Sequence, residues 1–130
     1  MKRLTFVGFA IWLAATVVLR LAGQLVIQPR SVLQIGMLFA VSGVLMWQLP
    51  RGVFASLRIA REDYARGAIA LVAPGMLLDT VSTIWFARVF PNIVPDAAGL
   101  FGGWLLFCNI VALLSAVAAQ PRGSGTRVAL

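Results

Sequence analysis

The stretch LTFVGFAIWLAATVVLRLAGQLVI, from Leu4 to Ile27, is predominantly apolar and long enough to cross a lipid bilayer as a helix. A helix needs about 20 apolar residues to cross a hydrocarbon core about 30 Å thick. Three further apolar stretches, at about residues 32–49, 67–86 and 97–119, bring the number of predicted spans to four, with the first over residues 4–27. The sustained alternation of apolar and polar residues that a membrane barrel requires is absent from the sequence. The sequence predicts an all-α membrane protein, a single domain over residues 1–119 that forms an antiparallel four-helix transmembrane bundle.

The composition of the whole chain supports this class. Of its 130 residues, 61% are apolar and 12% are charged. A soluble domain has about 45–50% apolar and about 25% charged residues, so this chain carries more apolar surface than a soluble fold of its size can bury. Disordered chains are poor in aliphatic residues. The composition excludes both an ordinary soluble domain and a disordered chain.

The basic residues are unevenly distributed between the two ends of the predicted spans. The formal net charge is +7, from 11 Lys and Arg against 4 Asp and Glu. Arg30 and Arg88 fall on one side of the bilayer, and the other flanking basic residues fall on the opposite side: Lys2, Arg3, Arg51, Arg58, Arg61, Arg66, Arg122 and Arg127. Because basic residues favour the cytoplasmic side, we expect both termini in the cytoplasm. A cleaved signal peptide is the less favoured alternative, since Arg20 and Leu21 interrupt the cleavage pattern.

Several kinds of chemistry lack the residues that they need. The basic residues lie at the ends of apolar stretches, whereas nucleic acid binding needs them on a soluble face or tail. The chain has no histidine and one cysteine, Cys108, which disfavours a metal site and excludes an intrachain disulfide. No phosphate-binding loop or nucleophile elbow occurs. We expect no catalytic residue, metal or cofactor. The expected partners are the lipid bilayer and either a second copy or another membrane protein.

One carboxylate, Asp79, lies inside a predicted span, in the sequence APGMLLDTVST of residues 73–83. An ionised side chain at the centre of a transmembrane helix costs at least about 2.5–3.5 kcal/mol, so Asp79 should be paired, protonated or exposed to water. Ser82 and Thr83 follow three and four residues later, on the same helix face. Pro74 removes one backbone hydrogen bond and should kink the helix. These residues predict a polar pocket inside the bundle.

Arg20 is the expected partner of Asp79. Thr16, Arg20 and Gln24 are spaced by four residues, which places them on one face of the first helix. Arg20 and Asp79 each lie about seven residues, or about 10 Å, from the outer ends of their helices. We therefore predict a structural ion pair between them. The alternatives are a proton or cation site at Asp79, and an outward Arg20 with Asp79 either protonated or paired with Arg88.

The fourth span carries one strongly polar side chain, Asn109, beside Cys108. We expect Asn109 to form a hydrogen bond between helices, which completes the predicted polar cluster. Gly99 and Gly103 have the GxxxG spacing that permits close helix packing, either within the bundle or between protomers.

Three segments lie outside the predicted spans. Residues 50–66 have apolar residues at helical spacing, which fits an interfacial helix or a helical extension of a neighbouring span. Residues 87–96, ARVFPNIVPD, should lie at the interface or tuck against the bundle, with Asp96 capping the fourth helix. Residues 120–130 are expected to form a short disordered cytoplasmic tail.

Three segments, LTFVGFAIWLAATVVLRLAGQ, APGMLLDTVSTIWFARVFPN and AAGLFGGWLLFCNIVALL, together resemble a family of small bacterial integral membrane proteins with four spans. The resemblance extends from Leu4 to Leu114 and is most specific at PGMLLD, residues 74–79, and VFPN, residues 89–92. The family is known only as a domain of unknown function. The resemblance therefore implies a topology and a bacterial inner-membrane location but no activity.

The sequence favours a non-catalytic membrane protein with an accessory or structural role, in which the Arg20–Asp79 pair holds two helices together. The alternative is a small proton- or cation-coupled transporter that uses Asp79.

Overall fold

The computed structural model describes residues 2–121, and all regular structure in that range is helical. The helices are α1 (Lys2–Val26), α2 (Val32–Ser56), α3 (Tyr64–Ile84), α4 (Phe86–Val89) and α5 (Ala98–Ala119), with 3-10 turns at Arg61–Asp63 and Pro95–Ala97. Apart from the short α4, each helix is long and apolar enough to cross a membrane. The predicted all-α bundle of four such helices is confirmed. Most of the tail predicted for residues 120–130, from residue 122 onwards, lies outside the described residues.

The order of packing differs from the order along the chain. Helix α1 packs on α3, α3 on α5 and α5 on α2, whereas α1 and α2 hardly touch each other. Consecutive long helices run antiparallel, so α1 and α3 run in the same direction. Gly8 accordingly lies against Leu71 within α3, while Gly23 lies against Ile93, beyond the end of α3. A gap that we call the α1–α2 seam remains between the two helices at the edges of the bundle.

The buried side chains form two clusters at opposite ends of the bundle. The cluster at the N-terminal end, where α1 begins, comprises Leu4, Phe54, Tyr64, Ala68, Leu71 and Ala116. The cluster at the opposite end comprises Leu19, Ile27, Phe86, Phe90, Ile93, Ala97 and Phe101. Its three phenylalanine rings pack in tilted pairs with centroids 5.0–5.6 Å apart, a geometry that contributes beyond area burial. Both ends of the bundle are therefore filled, and the space that remains lies between them.

The outward faces of the long helices are apolar. Leu21, Val32 and Leu77 are 73%, 85% and 72% exposed. A contiguous apolar surface of this extent is unfavourable in water but matches the hydrocarbon of a bilayer. The exposed surface therefore agrees with four membrane spans.

Gly8 sets the distance between α1 and α3. A Cβ atom at Gly8 would lie 1.9 Å from the Leu71 carbonyl oxygen, so the two backbones are in direct contact there. Small residues allow this close approach between membrane helices. The parallel α1–α3 contact depends on the absence of a side chain at Gly8.

Helix α2 continues past Pro50 to Ser56, beyond the predicted end at Leu49. Arg51 on the extension is anchored to α5, because its Nε donates to Ser115 Oγ over 3.0 Å and its Nη2 donates to the Ser115 carbonyl over 3.3 Å. Its guanidinium also lies 5.0 Å from the centroid of the Trp47 ring. These contacts hold the helix together despite the hydrogen bond that a proline cannot donate. Of the two interpretations of residues 50–66, the helical extension holds for the first part.

Helix α2 ends in a Schellman turn. The Ile59 N–H donates to the Phe54 carbonyl over 2.9 Å, and the Arg58 N–H donates to the Ala55 carbonyl over 3.3 Å. Arg58 adopts a φ of 55°, the left-handed conformation for which such turns normally use glycine. Ile59 packs against the cluster that contains Phe54. The apolar contact completes the turn and fixes where the chain leaves α2.

Residues 85–97 fold back against the bundle. Of the two arrangements expected for this apolar segment, at the membrane interface or packed against the bundle, the structure shows the second. Phe90, Ile93 and Ala97 are all buried. The predicted capping role of Asp96 is wrong, because neither the Pro95–Ala97 turn nor α5 has a side-chain cap. Asp96 lies inside the turn, whereas the capping positions are held by Val94 and Ala97.

Candidate functional site

A cavity of about 260 Å³ lies in the middle of the bundle and is lined by residues of all four long helices. Members of both core clusters form its two ends, with Phe90 and Phe101 at one end and Leu71 at the other. Most of its wall is apolar. Hydroxyl, carboxyl and amide side chains line it at five positions: Thr16, Ser42, Asp79, Ser82 and Asn109. Apolar walls with a few converging polar groups are typical of a small-molecule binding site.

Asp79 is joined to α1 by a tryptophan. Its Oδ1 accepts a hydrogen bond from Trp12 Nε1 over 2.8 Å, and the half-buried carboxyl group lines the cavity. Trp12 also packs over Gly75, one turn earlier on α3. A carboxylate can accept about four hydrogen bonds, and Trp12 occupies one of these positions. The Asn109 side chain is a second hydrogen-bond partner of this carboxyl group, and the acceptor positions that these two residues leave are available to the cavity.

The predicted ion pair between Arg20 and Asp79 is wrong. The Arg20 Nη1 atom donates to the Val89 carbonyl at the end of α4 over 2.8 Å. Because α1 and α3 run in parallel, Trp12 is the residue of α1 at the level of Asp79. Arg20 lies eight residues further along α1, about 12 Å towards the opposite end of the bundle. Its guanidinium is therefore level with the segment after α3.

The polar face of α1 binds residues 85–97. Asn92 Nδ2 donates to Gln24 Oε1 over 2.6 Å and to the Leu19 carbonyl over 2.9 Å. Together with Arg20, Gln24 ties this segment to α1. Thr16, Arg20 and Gln24 were predicted to share one face of α1, but they have different partners. Arg20 and Gln24 bind residues 85–97, whereas Thr16 lines the cavity.

The remaining predicted site residues also separate into two groups. Ser82 is buried and lines the cavity with Asp79. Thr83 lies outside the cavity, with its methyl group against Gly102 of α5. Asn109 lines the cavity beside the Asp79 carboxyl group, and its Nδ2 donates to the Leu105 carbonyl of its own helix over 2.9 Å. Asp79, Ser82, Asn109 and Thr16 are thus brought together, whereas Arg20, Gln24 and Thr83 are not.

Two tryptophans, Trp12 and Trp104, belong to the site although the sequence pattern did not predict it. Trp12 binds Asp79, and Trp104 Nε1 donates to Ser42 Oγ over 2.8 Å, which links α5 to α2. An indole N–H inside a bilayer needs an acceptor, and Trp12 precedes Thr16 by one helical turn. This spacing could have placed Trp12 on the polar face of α1.

The cavity opens to the side through the α1–α2 seam. Ala15 of α1 and Leu45 of α2 both line it, and both are exposed, with 61% of Leu45 accessible. A second, more open groove shares Leu45, Met46 and Leu49 with the cavity and continues to Ser56 and Leu57. The apolar space therefore runs from Asp79 along α2 towards the N-terminal end of the bundle.

The GxxxG pair of α5 faces away from the rest of the chain. A Cβ atom at Gly99 or Gly103 would meet nothing within 4 Å. This pair is therefore not used for packing within the bundle. Among residues 2–121, no group of three or more His, Cys, Asp or Glu side chains is close enough to hold a metal ion.

Four long apolar helices packed as a bundle define the molecule as a multi-pass membrane protein. The chain belongs to the DUF5367 family, described as a family of unknown function, whose model matches residues 25–122. This match confirms the resemblance to such a family. Asp79, Ser82 and Asn109 lie inside the matched region, whereas Trp12 and Thr16 precede it. No curated protein and no solved structure matches the chain.

Proposed function

We propose that this protein is a non-catalytic carrier that binds a cationic solute at Asp79. The observation that carries the proposal is the position of this carboxyl group on the wall of a mostly apolar cavity between the four long helices. A charge in such a place requires a partner, and Arg20 is bound elsewhere. A proton or a cationic solute would supply the missing positive charge.

The contacts around Asp79 favour binding over a purely structural role. The Trp12 N–H is a neutral donor, so it orients the carboxylate without neutralising it. Ser82 and Asn109 add further polar groups to the same wall. A cation held there would interact with the carboxylate in a medium of low polarity, where the attraction between charges is stronger than in water.

The test is a flux measurement in proteoliposomes with the full-length protein. Proton movement is followed with an entrapped pH dye, and uptake of Na⁺, K⁺ and methylammonium is followed under an inward-negative membrane potential. The informative variant is Asp79→Asn, which preserves shape and removes the charge. Asp96→Asn is the matched control, because Asp96 is exposed at one end of the bundle and does not line the cavity.

We expect the wild type and Asp96→Asn to carry at least one of these cations, and Asp79→Asn to lose at least nine-tenths of that flux. Absence of any flux in the wild type would contradict the carrier function, as would a flux that Asp79→Asn leaves unchanged.

An accessory role is the second candidate function, and the Trp12–Asp79 hydrogen bond favours it. This bond joins α1 to α3. In an accessory protein, it would stabilise the bundle that binds a partner in the membrane. The outward-facing Gly99 and Gly103 offer a surface on which a second copy or another membrane protein could pack closely. Under this alternative, Asp79→Asn lowers stability or assembly and the wild type carries no cation.

We also propose that both termini lie in the cytoplasm and that the protein resides in the inner membrane of a bacterial cell. The basic residues in the first turn of α1 and those from the end of α2 to the first turn of α3 support this orientation through the positive-inside rule: Lys2, Arg3, Arg58, Arg61 and Arg66. Fusions of a fluorescent protein and of alkaline phosphatase to the C-terminus test it. A fluorescent fusion with an inactive phosphatase is expected, and the reverse pattern would refute the orientation.

A further inference from the structure

We propose that the ligand of this cavity is an amphiphilic organic cation that enters from the bilayer through the α1–α2 seam. The inference rests on the proposed binding of a cationic solute at Asp79, and adds the class of that solute and its route. Charge, size and access each support it separately.

The walls favour an organic cation over a metal ion. Hard divalent cations such as Ca²⁺ and Mg²⁺ take about six or more oxygen ligands, whereas the hydroxyl, amide and carboxyl side chains of this cavity occur at only five positions on a mainly apolar wall. An alkylammonium group needs one counter-charge and tolerates apolar contact elsewhere. The rings of Trp12 and Trp104 also line the cavity, and aromatic faces attract ammonium groups.

The size of the cavity fits a compact apolar body. An apolar cavity of about 150 Å³ holds benzene, so a volume of about 260 Å³ admits an aromatic or branched aliphatic group together with a small ammonium group. The adjoining groove past Leu49 towards Leu57 offers space for a longer apolar tail. A ligand of this kind would place its charge at Asp79 and its apolar part along α2.

The access route follows from the packing of the helices. Both ends of the cavity are closed by buried side chains, with Phe90 and Phe101 at one end and Leu71 at the other. The side between α1 and α2 is not closed, because these helices hardly touch each other. Ala15 and Leu45 at this opening are exposed on the face that meets lipid. A molecule dissolved in the bilayer therefore reaches Asp79 without passing through either end.

The first experiment measures binding by isothermal titration calorimetry of the full chain in lipid nanodiscs. The probe is benzyltrimethylammonium, and 3-phenylpropionate is the anionic control of similar size. Empty nanodiscs give the contribution of lipid alone. We expect saturable binding of the cation only, weakened at least tenfold in Asp79→Asn and by less than twofold in Asp96→Asn. Equal binding of the anion, or an unchanged affinity in Asp79→Asn, would overturn the proposal.

The second experiment tests the route with a pair of neighbouring substitutions. Ala15→Trp places a large side chain at the opening, whereas Ala14→Trp places it on the exposed part of α1 that does not line the cavity. We expect Ala15→Trp to weaken binding or slow association at least tenfold and Ala14→Trp to have little effect. Both positions are exposed, so we expect both variants to fold, and this pair tests the proposal even where Asp79→Asn fails to fold. Equal behaviour of the two variants would exclude entry through the seam.

The outcomes separate this inference from the carrier function. Flux of protons or small cations that depends on Asp79, without binding of benzyltrimethylammonium, overturns the inference and leaves the carrier function standing. Asp79-dependent binding of the probe without any flux supports the ligand class and refutes the carrier. Absence of both refutes both proposals.

Discussion

The indole N–H of Trp12 donates a 2.8 Å hydrogen bond to Oδ1 of Asp79, and this bond connects α1 with α3 inside the bundle. It satisfies the indole donor, which is costly to leave without an acceptor in a bilayer, and occupies one acceptor position of the carboxyl group without supplying a counter-charge. The same bond orients Asp79 on the wall of the cavity. Trp12 therefore contributes both to the stability of the bundle and to the shape of the candidate site.

We predict that Trp12→Phe destabilises the bundle and that the effect depends on Asp79. Phenylalanine keeps most of the ring and removes the donor. Hydrogen bonds between membrane helices contribute about 0.6 kcal/mol on average and at most about 1.7 kcal/mol, so the coupling in a double-mutant cycle with Asp79→Leu, whose side chain has no acceptor, should be about 1 kcal/mol. Unfolding in mixed micelles with increasing dodecyl sulfate measures it.

Trp85→Phe is the matched control, because Trp85 is exposed near the end of α3 and has no hydrogen bond through its side chain in the described structure. Its stability should differ from that of the wild type by less than about 0.5 kcal/mol. A coupling energy of zero between Trp12 and Asp79 would mean that the bond makes no contribution.

The sequence predicted the four helices because the physical requirement for a span is a length of apolar chain, which can be read directly. It did not predict the partner of Asp79. The distance of a residue from the end of its helix shows neither how the helix is rotated nor how far it is shifted along its neighbour. Trp12 and Arg20 share one face of α1, but they differ by about 12 Å in height. Only the register fixed at Gly8 and Leu71 decides which of them meets Asp79.

The end of α2 could not be predicted for a different reason. A proline usually marks a helix end, but Arg51 is bound to Ser115 of α5, and this contact between distant residues outweighs the local signal. The opening between α1 and α2 likewise depends on which helices pack together. No feature of a single helix shows it.

We predict that Arg20→Met loosens residues 85–97 without affecting Asp79. Methionine keeps an apolar stem and loses the hydrogen bond to the Val89 carbonyl. A hydrogen bond contributes about 1 kcal/mol, so amide hydrogen exchange in residues 86–92 should become about fivefold faster. Hydrogen-exchange mass spectrometry in nanodiscs measures this change, with α5 as the internal reference.

The same variant tests whether Arg20 and Asp79 interact. Because the two side chains have separate partners, the effects of Arg20→Met and Asp79→Asn on stability should add within about 0.5 kcal/mol. The exchanged pair, Arg20→Asp with Asp79→Arg, should not restore stability. Recovery in that double variant would reinstate the ion pair.

We predict that Arg58→Gly stabilises the protein. Arg58 closes the Schellman turn with a φ of 55°, a conformation that costs a residue with a side chain about 1–2 kcal/mol and costs glycine little. A gain of about 1 kcal/mol is expected in the same unfolding assay. Arg61→Gly removes the same charge from the neighbouring 3-10 turn, and a similar gain there would attribute the effect to charge instead of backbone conformation.

The last prediction concerns the contact between α1 and α3. In Gly8→Ala, the new Cβ atom would lie 1.9 Å from the Leu71 carbonyl oxygen, and a backbone atom cannot move aside as a flexible side chain can. The two helices must separate, which weakens their packing and the Trp12–Asp79 bond together. Inserting a methyl group into a tight contact costs about 1–3 kcal/mol, and we expect the upper part of this range.

Gly36→Ala is the matched control for Gly8→Ala. A Cβ atom at Gly36 meets nothing within 4 Å, and α2 contains this residue in its interior. Alanine is favoured over glycine within a helix by about 0.5–1 kcal/mol, so this variant should be at least as stable as the wild type. The two substitutions add the same methyl group and should change stability in opposite directions. Equal effects would show that Gly8 does not hold α1 close to α3, and the register that places Trp12 at Asp79 would need another cause.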